Sequence, residues 1–223
     1  MPREFYAKEL TDLSRRVMEK FLDQFPEAIL IGGWASWLRL GTLLSHDIDV
    51  VLEPGLLQSV REVVDVTEGR HMGERKYRAV VGDGIKLDIY VPHQSELGQR
   101  LRLPVEALMP HTELLANRRV LTAGAHLATK FAGLLDRPES NPGEKDRSEI
   151  WGILRAGAEP AEFAAVVGQS RAADVANLIA EGFSLLGDLK LDRGDRQQLR
   201  SLAGEYARSL VVDRSDPSAG LSP

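Results

Sequence analysis

The chain has 223 residues, is 43% hydrophobic, contains no cysteine and carries a formal net charge of −5 at pH 7. This length allows one large domain or two small ones with a sizeable core, and the acidic balance argues against a broadly basic nucleic-acid binder while leaving room for a local basic patch. The lack of cysteine excludes disulfides and thiolate metal sites, and no stretch approaches the roughly 20 apolar residues of a membrane span.

In chain order, Phe5, Leu10, Leu13, Val17, Phe21 and Leu22 recur at helical spacing, so residues 5–24 are expected to form an amphipathic helix. Pro26 ends it, and Ala28–Ile31 reads as a short buried strand broken by Gly32-Gly33. Trp34–Leu40 fits two helical turns closed by Gly41, with Trp34 and Trp37 as core anchors. His46–Leu52 (HDIDVVL) reads as a strand that stops at Pro54-Gly55, and Leu56–Val66 returns to helical periodicity. Lys76–Val81 and Ile85–Val91 flank Gly82-Asp83-Gly84 as a hairpin. Strand signals then fade, apart from a short strand near 100–105. Helices are expected at about 112–117, 122–136, 145–156, 160–168, 171–186 and 193–210, with a polar loop at 137–144. The tail from Asp213 lacks apolar periodicity and reads as disordered. The expected fold class is α+β: a small mixed sheet with flanking helices over residues 1–105, a helical bundle over 106–212, and the tail 213–223. The charged N-terminal MPREFYAKEL does not read as a signal peptide, and a cytoplasmic location is expected.

Alternation along the strands puts Asp47 and Asp49 on one face with Ile48 and Val50 opposite, and Asp88 with Tyr90 opposite Leu87 and Ile89. An Asp-x-Asp alone fits a solvated strand face. Here the flanking residues are strongly apolar and a third Asp recurs in a strand that could lie alongside, and unpaired carboxylates in such a setting are costly without a cation or donor. An all-oxygen donor set favours Mg²⁺ over zinc, and three carboxylates can hold two ions about 3.5–4 Å apart for phosphoryl or nucleotidyl transfer. Gly32-Gly33 lets the backbone approach a phosphate at a helix N-terminus, and Ser45 can add a hydroxyl; the same pair also suits an ordinary strand-to-helix turn. No Gly-Lys-Ser/Thr follows, which argues against a P-loop. His71, His93, His111 and His126 show no metal-ligand spacing. Arg75, Lys76, Arg78, Lys86, Arg100, Arg102 and Arg118-Arg119 could meet an RNA backbone if they converge, or simply be solvated.

Gly32-Gly33, thirteen residues, Asp47-Ile48-Asp49 and a later Asp88 together resemble the DNA polymerase β-type nucleotidyltransferase superfamily. Within it, Lys130, Arg137 and Lys145-Asp146, in that order, look like the helical half of the AbiEii/MenT-type toxin nucleotidyltransferases, which are paired with antitoxins in bacteria and archaea. The resemblance covers about residues 28–155. It implies that Asp47, Asp49 and Asp88 bind two Mg²⁺ ions, with Asp88 also available as general base. It further implies that Gly32, Gly33 and Ser45 contact the triphosphate of an NTP such as ATP, that Lys130 and Arg137 neutralise it, and that Asp146 orients Lys130 or meets the acceptor. Relatives often carry an arginine just before the serine; here Leu43-Leu44 precede Ser45, and Arg39 is the nearest substitute. The expected acceptor is a tRNA 3′ end or a protein hydroxyl, with an antitoxin protein as partner. The alternatives are a small-molecule nucleotidyltransferase of the antibiotic-modifying kind and a non-catalytic nucleotide- or partner-binding module.

Overall fold

The computed structural model describes residues 5–71 and 74–212; the expected disordered tail lies outside the described residues. The fold is a seven-stranded mixed sheet with helices on both faces, followed by a run of helices, in agreement with the α+β expectation. Helix α1 (Lys8–Gln24) leads into strand β1 (Ile29–Ile31), helix α2 (Gly32–Leu40), strand β2 (Ile48–Val51) and helix α3 (Pro54–Arg61). Strands β3 (Val66–His71), β4 (Glu74–Val81) and β5 (Ile85–Tyr90) follow, and then the two-residue strands β6 (Glu96–Leu97) and β7 (Leu103–Pro104) form a small separate pair. Strands β8 (Thr112–Leu115) and β9 (Arg118–Leu121) return to the main sheet. Helices α4 (Ala123–Asp136), α5 (Asn141–Arg155), α6 (Pro160–Gly168), α7 (Val175–Leu185) and α8 (Arg193–Val212) complete the chain.

The sheet order is β3-β4-β5-β2-β1-β9-β8. Strand β1 runs antiparallel to β2 and parallel to β9, and β2 runs parallel to β5. Strand β1 is buried on both faces. Leu30 joins Trp34, Ile48, Val50, Leu87 and Ile89 in a core under α1, α2 and α3, while Ile29, Ile31 and Val51 join the core formed by the C-terminal helices. Residues of opposite parity on one strand therefore serve two cores, as the two-residue period of a strand requires. No helix among the described residues is long and apolar enough to cross a membrane.

Five expectations need correction. Helix α5 begins at Asn141 rather than 145, capped by the Ser140 hydroxyl that accepts from the Gly143 N–H, so the expected loop 137–144 is shortened. Residues 112–117 are not a helix: Thr112–Leu115 pairs antiparallel with Arg118–Leu121. Glu, Leu and Ala favour a helix locally, but Ala116 and Asn117 both take positive φ, the geometry of a two-residue hairpin turn, and pairing of β9 on β1 overrides the propensity. The sheet thus draws two strands from beyond residue 105. The stretch 56–66 is not one helix: Pro54 opens α3, Arg61 ends it, and Val66 begins β3. The β-branched Val63, Val64 and Val66 carry a strand tendency. Helix α1 begins at Lys8 and buries Thr11, Ser14, Met18, Phe21 and Leu22, leaving Leu10 exposed. Ser14 is buried because its Oγ accepts a 3.0 Å hydrogen bond from Trp34 Nε1. Helix α7 begins at Val175 rather than 171, capped by the Asp174 carboxylate that accepts from the Asn177 N–H.

Trp34 is fully buried and stands edge-on to Trp37, with ring centroids 5.5 Å apart, as expected of a core anchor. Trp34→Ala should lower stability by about 3–5 kcal/mol through the cavity it leaves. Ser14→Ala should cost about 1 kcal/mol by orphaning the indole N–H. Urea denaturation of the two variants, followed by circular dichroism, measures both.

Candidate active site

The site is fixed by the register of two parallel strands. Asp49 on β2 lies directly beside Asp88 on β5, and Ile48, Val50, Leu87 and Ile89 point into the core behind them. Asp47 enters from the residue before β2 on the same face as Asp49. On this face Val51 at the end of β2 packs into the core of the C-terminal helices, while Asp49 and Asp88 face a cavity instead. This cavity of about 430 Å³ is lined by Gly32, Gly33, Ser45, Asp47, Asp49, Asp88, Lys130, Arg137 and Asp146, all named from the sequence, but not by Arg39. A larger cleft of about 1090 Å³ between α6, α7 and α8 is lined mainly by alanines and other apolar residues, and its lining includes no carboxylate.

The glycine turn supplies the floor. Gly32 takes φ +67, which favours glycine, and a side chain there would run into the Asp49 carboxylate. At Gly33 an added Cβ would lie 2.5 Å from Ser45 Oγ and 2.6 Å from Lys145 Nζ. The absence of two side chains is what allows Asp49, Ser45 and Lys145 to converge on the start of α2. Behind the turn, the buried Ser36 hydroxyl donates to the Gly32 carbonyl at 3.2 Å, and His126 Nε2 lies 3.3 Å from the same hydroxyl. His126 is held well below the usual histidine range by burial and then by nearby Lys130, so it braces the turn as a neutral ring.

The carboxylates differ in their surroundings. Burial, reinforced by neighbouring Asp88, pushes Asp49 up to about 6. Its nearest counter-charges are already engaged: Lys76 Nζ lies 2.7 Å from Asp88 Oδ2, and Lys130 is paired with Asp146 and Glu149. Asp88 also accepts from Arg78 Nε at 3.2 Å. Asp47 stands 3.3 Å from His46 Nε2. Tyr90 is held well above the usual phenol range by burial and the adjoining aspartates, and so remains a neutral hydroxyl in the cavity wall.

The opposite wall comes from α4, α5 and the loop between them. Lys130 Nζ reaches Glu149 Oε2 at 2.6 Å and Asp146 Oδ1 at 3.3 Å, Lys145 Nζ reaches Glu149 Oε1 at 3.1 Å, and Arg137 reaches Asp146 Oδ2 at 3.0 Å. Burial alone would lower Lys130, but Glu149 and Asp146 reverse it and hold the ammonium above its ordinary value. Asp146 therefore orients both Lys130 and Arg137. Sequence reasoning missed Glu149 and Ser36; it named Lys145 only as part of the Lys145-Asp146 motif and Lys76 only as one of the hairpin's basic residues. Helical spacing from Lys145 to Glu149 was the available signal for that ion pair.

Arg39 does not line the cavity. It pairs with Glu113 at 2.7 Å and the Leu121 carbonyl at 2.7 Å, tying α2 to the β8–β9 hairpin. The basic residues do not converge either: Arg100 pairs with Glu181, Arg102 with Glu96 and Arg118 with Asp23, leaving Arg75 and Lys76 as the members that line the cavity.

For a metal ion the fit is one of donor type and charge. Among the described residues, no three acidic or histidine side chains stand close enough to enclose an ion as they are oriented. Asp88 is drawn to Lys76 and Arg78, and Asp47 to His46. Three carboxylates on one face nevertheless offer only hard oxygen donors, and the crowded Asp49 carboxyl is the group that a cation would stabilise most.

The folded state binds the Asp49 proton more tightly than the unfolded chain does. Between about pH 4 and 6, stability therefore falls as pH rises, and the full penalty remains above pH 6. In chelator-treated protein, Asp49→Asn should recover up to about 3 kcal/mol at pH 7 and flatten that part of the profile. Thermal melts of both proteins from pH 4 to 7 test this.

No family model matches the sequence, and no curated protein sequence matches it. Among solved structures, the chain is similar to an antigenic nucleotidyltransferase-like protein from Paracoccidioides brasiliensis at 15% identity, covering 87% of this chain and 93% of that one with a TM-score of 0.45. It is similar to JHP933 from Helicobacter pylori at 15% identity, with 93% and 96% coverage and a TM-score of 0.46. It is also similar to ANT(2")-Ia in complex with adenylyl-2"-tobramycin at 18% identity, with 73% and 97% coverage and a TM-score of 0.46. The overlap is loose, and nothing about activity follows from it.

Proposed function

We propose that the protein is an Mg²⁺-dependent nucleotidyltransferase that moves a nucleoside monophosphate from an NTP to an acceptor hydroxyl, breaking the α–β phosphoanhydride bond and releasing pyrophosphate. The observation that carries this reading is the Asp49–Asp88 register, with Asp47 on the same face and a cationic wall opposite. Asp47, Asp49 and Asp88 would hold the metal. Bound Mg²⁺ would polarise the phosphoryl oxygens and neutralise developing charge. The start of α2 at Gly32-Gly33 offers backbone N–H groups to a phosphate, and Ser45 adds a hydroxyl beside them. Lys130, Lys145 and Arg137 offset triphosphate charge from the helical side. The Asp88 carboxylate, once released from Lys76 and Arg78, can accept the proton of an acceptor hydroxyl.

The finer reading is a toxin that acts on a tRNA 3′ end or a protein hydroxyl and is held in check by an antitoxin. Its support is the motif order Lys130, Arg137, Lys145-Asp146, together with the meeting of these residues with the three aspartates in one cavity. A small-molecule acceptor is the second reading. Engagement of Arg100, Arg102 and Arg118 in surface ion pairs favours it, because a polyanion would have to compete for these cations.

Labelled NTPs with Mg²⁺ and separate arms of bulk tRNA, protein extract and aminoglycosides should give label transfer in one arm. Asp47→Ala and Asp49→Ala should each lower that transfer by at least about a hundredfold. Growth inhibition on expression, lost in Asp49→Ala, would support the toxin reading. Nucleotide binding with no transfer in any arm would instead identify a binding module.

A further inference from the structure

Glu149 has no role in the chemistry described so far, yet it is fully buried and its two oxygens are divided between two cavity lysines. Lys130 on α4 takes Oε2 at 2.6 Å, and Lys145 on its own helix takes Oε1 at 3.1 Å. Lys130 has a second carboxylate in Asp146, whereas Glu149 is the one ion-pair partner of Lys145 among the described residues. The tip of Lys145 lies over Gly33 and beside Ser45, at the turn where a phosphate would approach. Lys130, Lys145 and Arg137 share only the two carboxylates of Asp146 and Glu149, and burying that excess of positive charge is costly unless a further anion arrives to complete the balance.

We propose that Glu149 is the positioning residue for the polyphosphate: by holding one lysine on each oxygen it keeps both ammonium groups charged and aimed into the cavity. In this way it selects a ligand with phosphates at two places over a single phosphate. The proposal rests on the nucleotidyl-transfer reading of the same cavity. Burial lowers Lys145 and Glu149 works against that shift, so loss of the carboxylate would remove the one ion pair that anchors this ammonium and leave it free to swing. A simpler electrostatic expectation has the opposite sign. A carboxylate next to an anion site repels the anion, so its removal should tighten binding.

Calorimetric titration with tripolyphosphate, which needs no assumption about the base, separates the two, with orthophosphate as the single-phosphate control. E149Q should weaken tripolyphosphate binding by about ten- to a hundredfold while changing orthophosphate binding far less, and E149D should fall between E149Q and the parent. Equal or tighter tripolyphosphate binding by folded E149Q overturns the proposal and leaves the nucleotidyl-transfer reading standing. If E149Q does not melt cooperatively, E149D decides: parental tripolyphosphate affinity overturns the proposal, and a several-fold loss with orthophosphate affinity retained supports it. Failure of the parent protein to bind either tripolyphosphate or any NTP removes the cavity reading and this inference together.

Discussion

Two carboxylates side by side on neighbouring parallel strands are the constraint on which the rest of the site depends. Asp49 and Asp88 are held in register by the β2–β5 ladder, with Ile48, Val50, Leu87 and Ile89 locked into the core behind them. Neither side chain can leave that face without a one-residue slip, and such a slip would turn the apolar set outward. The protein therefore carries a fixed electrostatic cost at this point, visible in the raised Asp49 carboxyl. Like-charge crowding in a buried place persists where something else compensates it.

The compensation comes from two directions. Lys76 and Arg78, one strand away on β4, pair with Asp88. Across the cavity, Lys130, Lys145 and Arg137 form a cationic wall whose own cost is met by Asp146 and Glu149. Among the described residues no ion pair joins the two walls, and the proposed ligand would bring cations to one and phosphates to the other. A metal-bound triphosphate has that composition. The glycines at 32 and 33 complete the arrangement by clearing side chains from the point where the two walls come nearest.

The helical half is more than a cover. Its core of Phe131, Phe163, Phe183 and Tyr206 packs ring against ring, with centroids 5.0–5.6 Å apart. This fixes α4, and α4 in turn aims Lys130 at the cavity while His126 supports the Gly32 turn through Ser36. A change in the helices can thus reach the Gly32 turn of the cavity through packed, hydrogen-bonded contacts.

Much of this was legible in the sequence. Strand period two placed Asp47 and Asp49 on one face and Asp88 with Tyr90 on another strand's equivalent face, and local turn chemistry marked Gly32-Gly33 and Gly82-Asp83-Gly84. Those features are written in neighbouring residues, where periodicity and backbone preference act. Strands β8 and β9 were not legible, because TELLAN carries helical propensity and the hairpin is held extended only through the pairing of β9 with β1, far away in the chain. Nor could the sequence show that Arg39 turns away to Glu113, or that Asp88 is paired with Lys76 and Arg78. The shared role of Glu149 was hidden for the same reason. Its meaning lies in Lys130, nineteen positions earlier on a different helix, and only the packing of α4 against α5 brings the two charges together. Local pattern determined which groups this protein possesses; long-range packing decided which of them meet.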